Sequence, residues 1–79
     1  MQSMKLGVRL RQIRTEQALS MKALARRVKV NHAYISRIES GQVQPSEQIL
    51  RKLSKALNHD EAELMILSDR IPRNWRSLI

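Results

Sequence analysis

Few side chains in this sequence could do covalent or metal chemistry. It holds two histidines, His32 and His59, and no cysteine. Without thiols there is no disulfide, no thiolate metal site and no thiol nucleophile. Neither histidine has a second ligand at a useful spacing, so no metal is expected. There is no glycine-rich phosphate loop, and the scattered Ser and Asp residues stand where helix caps are needed. No enzyme and no cofactor are expected. What remains is charge: fifteen Lys and Arg against seven Asp and Glu give +8 over 79 residues. That balance points to a polyanion, nucleic acid or an anionic membrane surface, and says nothing about fold. The surplus is uneven. Residues 1–40 hold nine basic and two acidic residues, residues 41–79 six and five. The polyanion should therefore meet the first half of the chain.

The elements that must position these charges are helical. A chain this short makes one domain and buries roughly 60% of its unfolded surface. Its 42% hydrophobic share suits a globular domain better than a disordered basic tail. The longest unbroken apolar run is Leu64-Met65-Ile66-Leu67, too short to span a membrane. The N-terminus lacks the apolar stretch of a signal peptide, and a cytoplasmic location is expected. No sustained period-two alternation marks a strand.

Helical periodicity is present almost everywhere. A first helix, about Met4 to Gln17, aligns Leu6, Leu10 and Ile13. Ser20 caps a second, with Met21, Leu24, Ala25 and Val28 inward. Asn31 caps a third, with Ile35 and Ile38 inward and Gly41 as terminator. Pro45-Ser46 opens a fourth carrying Leu50, Leu53 and Leu57, with Asn58 near its stop. Asp60 and Glu63 have the spacing of a capping box for a fifth. Pro72 can start a short tail helix bearing Ile71, Trp75, Leu78 and Ile79. The expectation is a compact all-α bundle of five helices over residues 1–68, followed by a C-terminal tail over 69–79.

Residues 20–41 carry the most information. Two helices of about eight and ten residues are separated by the turn Val28-Lys29-Val30, with the small Ala25 inside the first. Two helices crossing steeply need a small residue at the crossing and branched apolar residues in the corner, as a helix-turn-helix does. The same spacing also fits an αα-hairpin that merely packs. The wider pattern distinguishes them. Leu10-Arg11, Arg14, Leu19-Ser20, Leu24-Ala25, Ile35-Ser36-Arg37-Ile38-Glu39-Ser40-Gly41, Pro45-Ser46, Leu50, Leu53, Ala56-Leu57 and Glu63-Leu64 stand in order. From Gly7 to Leu64 the chain thus resembles the phage-repressor/Cro helix-turn-helix domains, the XRE family.

The resemblance implies a lambda-repressor-like bundle whose third helix, about 31–40, enters the major groove of duplex DNA while the second crosses the backbone. It places His32, Ala33, Tyr34 and Arg37 at the base-reading positions. Arg37 can donate two hydrogen bonds to guanine, His32 can donate or accept, and Ala33 can meet a thymine methyl. Tyr34, beside Ile35 and Ile38, has packing on the core edge as its alternative. Ser20, Met21 and Lys22 form a helix N-terminus suited to phosphate. Asn31, Ser40, Gln42, Gln44 and Arg9 are further phosphate candidates, with Lys5 and Arg26 behind them.

The chain departs from the family pattern twice. Relatives often carry Gln where Met21 stands, so one polar contact is missing, and Lys22 can compensate by charge. They also often carry a positive-φ Gly where Lys29 stands, and a left-handed non-glycine there costs about 1 kcal/mol. The resemblance further implies an ion pair between Arg14 and Glu39 with a structural role.

Leu64 to Leu67 span about 300° of a helix, more than one small core can cover. With relatives commonly dimerising through their last helix, Met65, Ile66, Ile71, Trp75 and Leu78 are expected at a homodimer interface. A two-fold dimer would address an approximately palindromic operator. A protein-interaction module, such as an antitoxin or adaptor, is the alternative function and can coexist with DNA binding. A membrane-surface role is not expected, because the cations belong to caps and turns of a folded bundle, unlike one long amphipathic helix.

Overall fold

In a computed structural model, residues 5–68 are described, and they form five helices: α1 (Leu6–Glu16), α2 (Met21–Val28), α3 (His32–Ser40), α4 (Glu47–Ala56) and α5 (Glu61–Leu67). Among the described residues there is no strand. The expected 69–79 tail, with its helix from Pro72 and with Ile71, Trp75 and Leu78, lies outside them.

Each helix of 7–11 residues is too short to be stable alone in water, so caps fix the ends and packing supplies the stability. Ser20, Asn31 and Ser46 accept hydrogen bonds from the backbone N–H groups of Ala23, Ala33 and Ile49 at 3.0, 2.8 and 3.2 Å. Gly41 closes α3 with φ 85°, where a side chain would be strained. Lys29 closes α2 with φ 61° and ψ 46°, the left-handed geometry expected of the turn. Ala18 (φ 55°) and Asn58 (φ 51°) make the same excursion after α1 and α4. Asn tolerates it, whereas Ala gains no compensating side-chain bond.

One cap differs from expectation. Asp60 accepts from Ala62 N–H at 3.1 Å, but Glu63 does not complete a capping box. Its two carboxylate oxygens instead meet Arg9 Nε and His59 Nε2, each at 2.7 Å. A carboxylate gains more from a guanidinium than from one backbone amide, so the longer-range pairing wins and ties α5 back to α1.

The core contains every apolar residue that the periodicity turned inward on α1, α3 and α4: Leu6, Leu10, Ile13, Ile35, Ile38, Leu50, Leu53 and Leu57. Leu24, Ala25, Val28 and Leu64 complete it, joined by Met65. Met65 was expected at a dimer surface. At 3% exposure it belongs to this chain's own core, and only Ile66, 54% exposed, turns outward from that run. The domain therefore covers more of α5 than its four consecutive apolar residues suggested. α3 packs against α1 and α2, and α4 bridges α2 and α5.

At the α1–α3 crossing the backbones nearly touch. A Cβ on Gly7 would lie 2.5 Å from the Ile38 carbonyl oxygen and closer still to that of Glu39. Glycine is required there by backbone proximity. About two helix turns farther along α1, Arg14 grips α3. Its Nε and Nη2 donate to Glu39 Oε2 and Oε1 at 2.7 and 3.0 Å, and its Nη1 donates to Leu19 O at 2.7 Å. The two side chains are 9% and 4% exposed.

Side chains also satisfy helix-end carbonyls. Gln17 donates to Leu57 O at 2.7 Å, Arg27 to Ala56 O at 3.2 Å and Gln44 to Ser68 O at 2.6 Å. The buried hydroxyls of Ser54 and Ser68 donate to carbonyls one turn back, Arg51 O and Met65 O, each at 2.8 Å. Buried polar groups are thus paired, as stability demands.

Two predictions follow from these contacts. Replacing Arg14 by Ala or Glu39 by Ala strands a buried charge and should cost about 3–5 kcal/mol in urea unfolding. Replacing both together by apolar residues, Arg14→Met with Glu39→Leu, should recover most of that loss; a double variant as unstable as the sum of the singles refutes the reading.

The second concerns acid. The Arg9 guanidinium, with help from His59, holds the Glu63 carboxyl below the usual carboxylate range. A folded-state pKa lowered in this way contributes stability above the unfolded value and loses it as pH falls through the lowered one. The contribution is modest, because Arg9 and Glu63 are 27% and 36% exposed and water screens them. In thermal unfolding, Glu63→Gln should lie below wild type at neutral pH, and the gap should close on acidification. A gap independent of pH would contradict it.

Candidate nucleic-acid interface

The turn at Lys29 sets the site, because it brings the start of α3 alongside the outer flank of α2. Lys22, Ala25, Arg26, Val30, Asn31 and His32 line one open crease of about 360 Å³ there. Lys22 and Arg26 stand one turn apart on the same flank of α2, both exposed, and neither has an ion-pair partner among the described residues. At the N-terminus of α2, Ser20 accepts the Ala23 N–H. The N–H groups of Met21 and Lys22 remain at the helix end, directed outward with the positive end of the dipole. Two cations line the crease and two free amides stand at the end of the same helix, an arrangement suited to phosphate oxygens.

α3 carries the rest. His32 and Arg37 are exposed and Ala33 is half-buried. Ser36, also exposed, lies one turn after His32 and immediately before Arg37, so it belongs to the same outward face. Sequence reading passed over it, although its spacing from His32 and Ala33 was the signal that could have found it. Ile35 and Ile38, at 0% and 1% exposure, fill the opposite face. Tyr34 is half-buried and packs against the core, which is the alternative foreseen for it. Arg37 has no carboxylate partner among the described residues, so its five donors are available.

The remaining candidates divide. Asn31 uses Oδ1 as the α3 cap, which leaves its amide N–H groups free to donate. Ser40 donates its hydroxyl to Arg37 O at 3.2 Å and keeps its oxygen as an acceptor only. Gln42 is exposed in the loop after α3, its backbone N–H donating to Arg37 O at 2.9 Å. Gln44, by contrast, donates its side-chain amide to Ser68 O at 2.6 Å, joining that loop to the end of α5. Arg9 gives Nε to Glu63 at 2.7 Å, and that bond raises its own pKa. Arg9 and Gln44 are thus engaged in holding helices together. Among the described residues no group of three or more His, Asp and Glu is placed to hold a metal ion, and no helix is long and apolar enough to cross a membrane.

Residues 5–65 match the family described as helix-turn-helix domain. No curated protein sequence matches the chain at a significant level. Among solved structures, the chain is similar to the restriction-modification controller protein C.AhdI from Aeromonas hydrophila, at 36% identity over 75% of this chain and 89% of that one, with TM-score 0.72. It is also similar to the DNA-binding domain of the P22 C2 repressor, at 31% identity over 82% and 86%, with TM-score 0.78. A third likeness is to the clp gene regulator ClgR from Corynebacterium glutamicum, at 28% identity over 81% and 83%, with TM-score 0.72. These matches cover the crease, the outward face of α3 and the core behind them. The chain belongs to the helix-turn-helix domain family, in its phage-repressor/Cro, or XRE, branch.

Proposed function

We propose that this chain is a sequence-specific regulator that binds duplex DNA, with α3 in the major groove and the α2 N-terminus on the phosphate backbone. The observation that carries this reading is the outward row of exposed His32, Ser36 and Arg37 with half-buried Ala33 among them, standing beside an unneutralised cationic crease. Base-reading donors and phosphate-seeking charges occupy adjacent surfaces, as docking of a helix into a groove requires. The solved structures that resemble it include a controller protein, a repressor's DNA-binding domain and a gene regulator, which supports the same reading. On this reading the protein acts where the DNA lies, which for the bacterial regulators it resembles is the cytoplasm.

Each residue has a stated part. Lys22, with the amides of Met21 and Lys22, neutralises phosphate, and Arg26, Asn31 and Gln42 extend that contact along the strand. Arg37 pairs with guanine O6 and N7, His32 and Ser36 hydrogen-bond base edges or flanking phosphates, and Ala33 packs on a thymine methyl. Ser20 sets the direction of the amides, and the Arg14–Glu39 pair fixes α3 behind the interface. Ile66, exposed on α5, together with Ile71, Trp75 and Leu78 of the tail, forms the contact of a homodimer. Its two recognition helices would then lie roughly 34 Å apart on a palindromic operator.

Selection of bound duplexes from a random pool, followed by affinity measurements, tests the assignment. Arg37→Ala should cost about 1–3 kcal/mol on the selected site and relax the choice of one base pair, whereas Lys22→Ala should weaken all duplexes alike and lower the salt slope by about one. Equal affinity for the selected and random duplexes removes the regulator reading. For the dimer, sedimentation equilibrium should show two copies associated in wild type and a monomer for Ile66→Glu; a monomeric wild type at tens of micromolar overturns it.

A further inference from the structure

The charge on α2 is divided between two flanks. Arg26 belongs to the crease beside His32, but Arg27, one residue on and therefore about 100° around the helix, faces α4. There it enters a second open notch of about 390 Å³, lined by Arg27, Val28, Lys29, Lys52, Lys55 and Ala56. Four of these six side chains are cationic, and all four are exposed. None has an ion-pair partner among the described residues; Arg27 donates one hydrogen bond, to Ala56 O.

Helix ends alone do not account for this set. Arg27 and Lys55 stand in last turns and complement those dipoles, but Lys52 lies in the middle of α4. Lys29 sits in a left-handed conformation at φ 61°, a strain that glycine would avoid, and its charge adds to a cluster that repels itself. Among the described residues no carboxylate of the second half lines the notch. On the neighbouring side of the same helix, Arg51 is met by Glu47 at 2.7 Å and Glu61 at 3.3 Å. α4 thus separates a neutralised edge from a bare cationic one.

We propose that this notch docks an acidic segment of another protein, its carboxylates on Arg27, Lys29, Lys52 and Lys55 and one apolar side chain on the floor. The floor decides the class of partner. Ala56, half-buried, offers apolar surface between the four charges, with the buried Val28 behind it, and the lysine stems extend it. Phosphate groups of a duplex would use the rim and leave that floor dry and unfilled. An acidic peptide with a Leu or Phe among its carboxylates matches both parts. The notch opens on the α4 flank of α2 while the crease opens on the other, so a partner can sit on the first with α3 still presenting its outward face.

The test uses the full chain, isotopically labelled, and a synthetic peptide of glutamates around one central leucine. In a nuclear magnetic resonance titration, the amide signals of Arg27, Lys29, Lys52, Lys55 and Ala56 should move. The peptide with serine in place of leucine should bind more weakly. The double variant Lys52→Glu with Lys55→Glu should weaken the peptide at least about tenfold and change affinity for a selected duplex by less than about twofold. Circular dichroism establishes that the variant is folded, and Lys52→Gln with Lys55→Gln replaces it if it is not. Signals moving only at His32, Ala33 and Arg37, peptide affinity unchanged in the variant, or equal binding of the serine peptide each overturn the proposal. A parallel fall in duplex affinity also does so, and assigns the notch to the nucleic-acid surface instead.

Discussion

The orientation of α3 rests on its attachment to α1, and that attachment is made of two contacts that depend on each other. Gly7 lets the backbones approach until no methyl group fits between them. That approach brings Arg14 within a bidentate bond of Glu39 and within reach of Leu19 O. Burying an arginine is unfavourable unless its donors are satisfied, and here three of its nitrogens have partners. Two isoleucines on α3, each contributing about 1.5–3 kcal/mol by burial, drive the helix onto the core. Hydrophobic burial has no direction. The ion pair supplies the direction, fixing which face of α3 turns inward and therefore which side chains turn outward.

That arrangement explains why the basic surplus is not uniformly available. Arg9, Arg14 and Arg51 are engaged with carboxylates, and all three pairings hold one element in place against another or stiffen a helix. The cations left without such partners on α2 and α3 divide between the crease (Lys22, Arg26), the outward face of α3 (Arg37) and the notch beside α4 (Arg27). The fold thus sorts its charges: three arginines that tie or stiffen helices are neutralised by carboxylates, and those lining the two open surfaces on either flank of α2 are not. Net charge supplies attraction at a distance, and screening by salt limits it to roughly 8–10 Å. Discrimination between sequences belongs to the few donors on α3.

Much of this was legible in the sequence, because caps and periodicity are local. Ser20, Asn31, Ser46 and Gly41 signal helix ends through chemistry that operates over three residues, and the left-handed turn at Lys29 followed from its place in the pattern. What was misread depended on partners distant in sequence. Asp60 and Glu63 have capping-box spacing, yet Glu63 pairs with Arg9 fifty-four positions away, which no local rule anticipates. The same contact occupies the Nε of Arg9, and the side-chain amide of Gln44 is taken up by Ser68 O, again far along the chain. Met65 went inward because α4 covers more of α5 than an apolar count could reveal. Ala18 carries no residue-type signal for its positive φ. Ser36 is the one omission that periodicity alone could have repaired.

The separation of the two flanks of α2 has a mechanical consequence. A helix of eight residues between α3 on one side and α4 on the other cannot tilt toward one without leaving the other, since both contacts use its buried stripe of Leu24, Ala25 and Val28. Close-packed interiors respond to displacement as units. Anything bound against Arg27 and Lys29 therefore bears on the same rigid element whose N-terminus is proposed to hold phosphate. The turn at Lys29 belongs to both surfaces: its left-handed backbone starts α3 at the right angle, while its side chain lines the notch. Coupling between the two needs no added domain. It needs only that a ligand in the notch favour one position of α2 over another, and the effect on DNA affinity would be bounded by that preference.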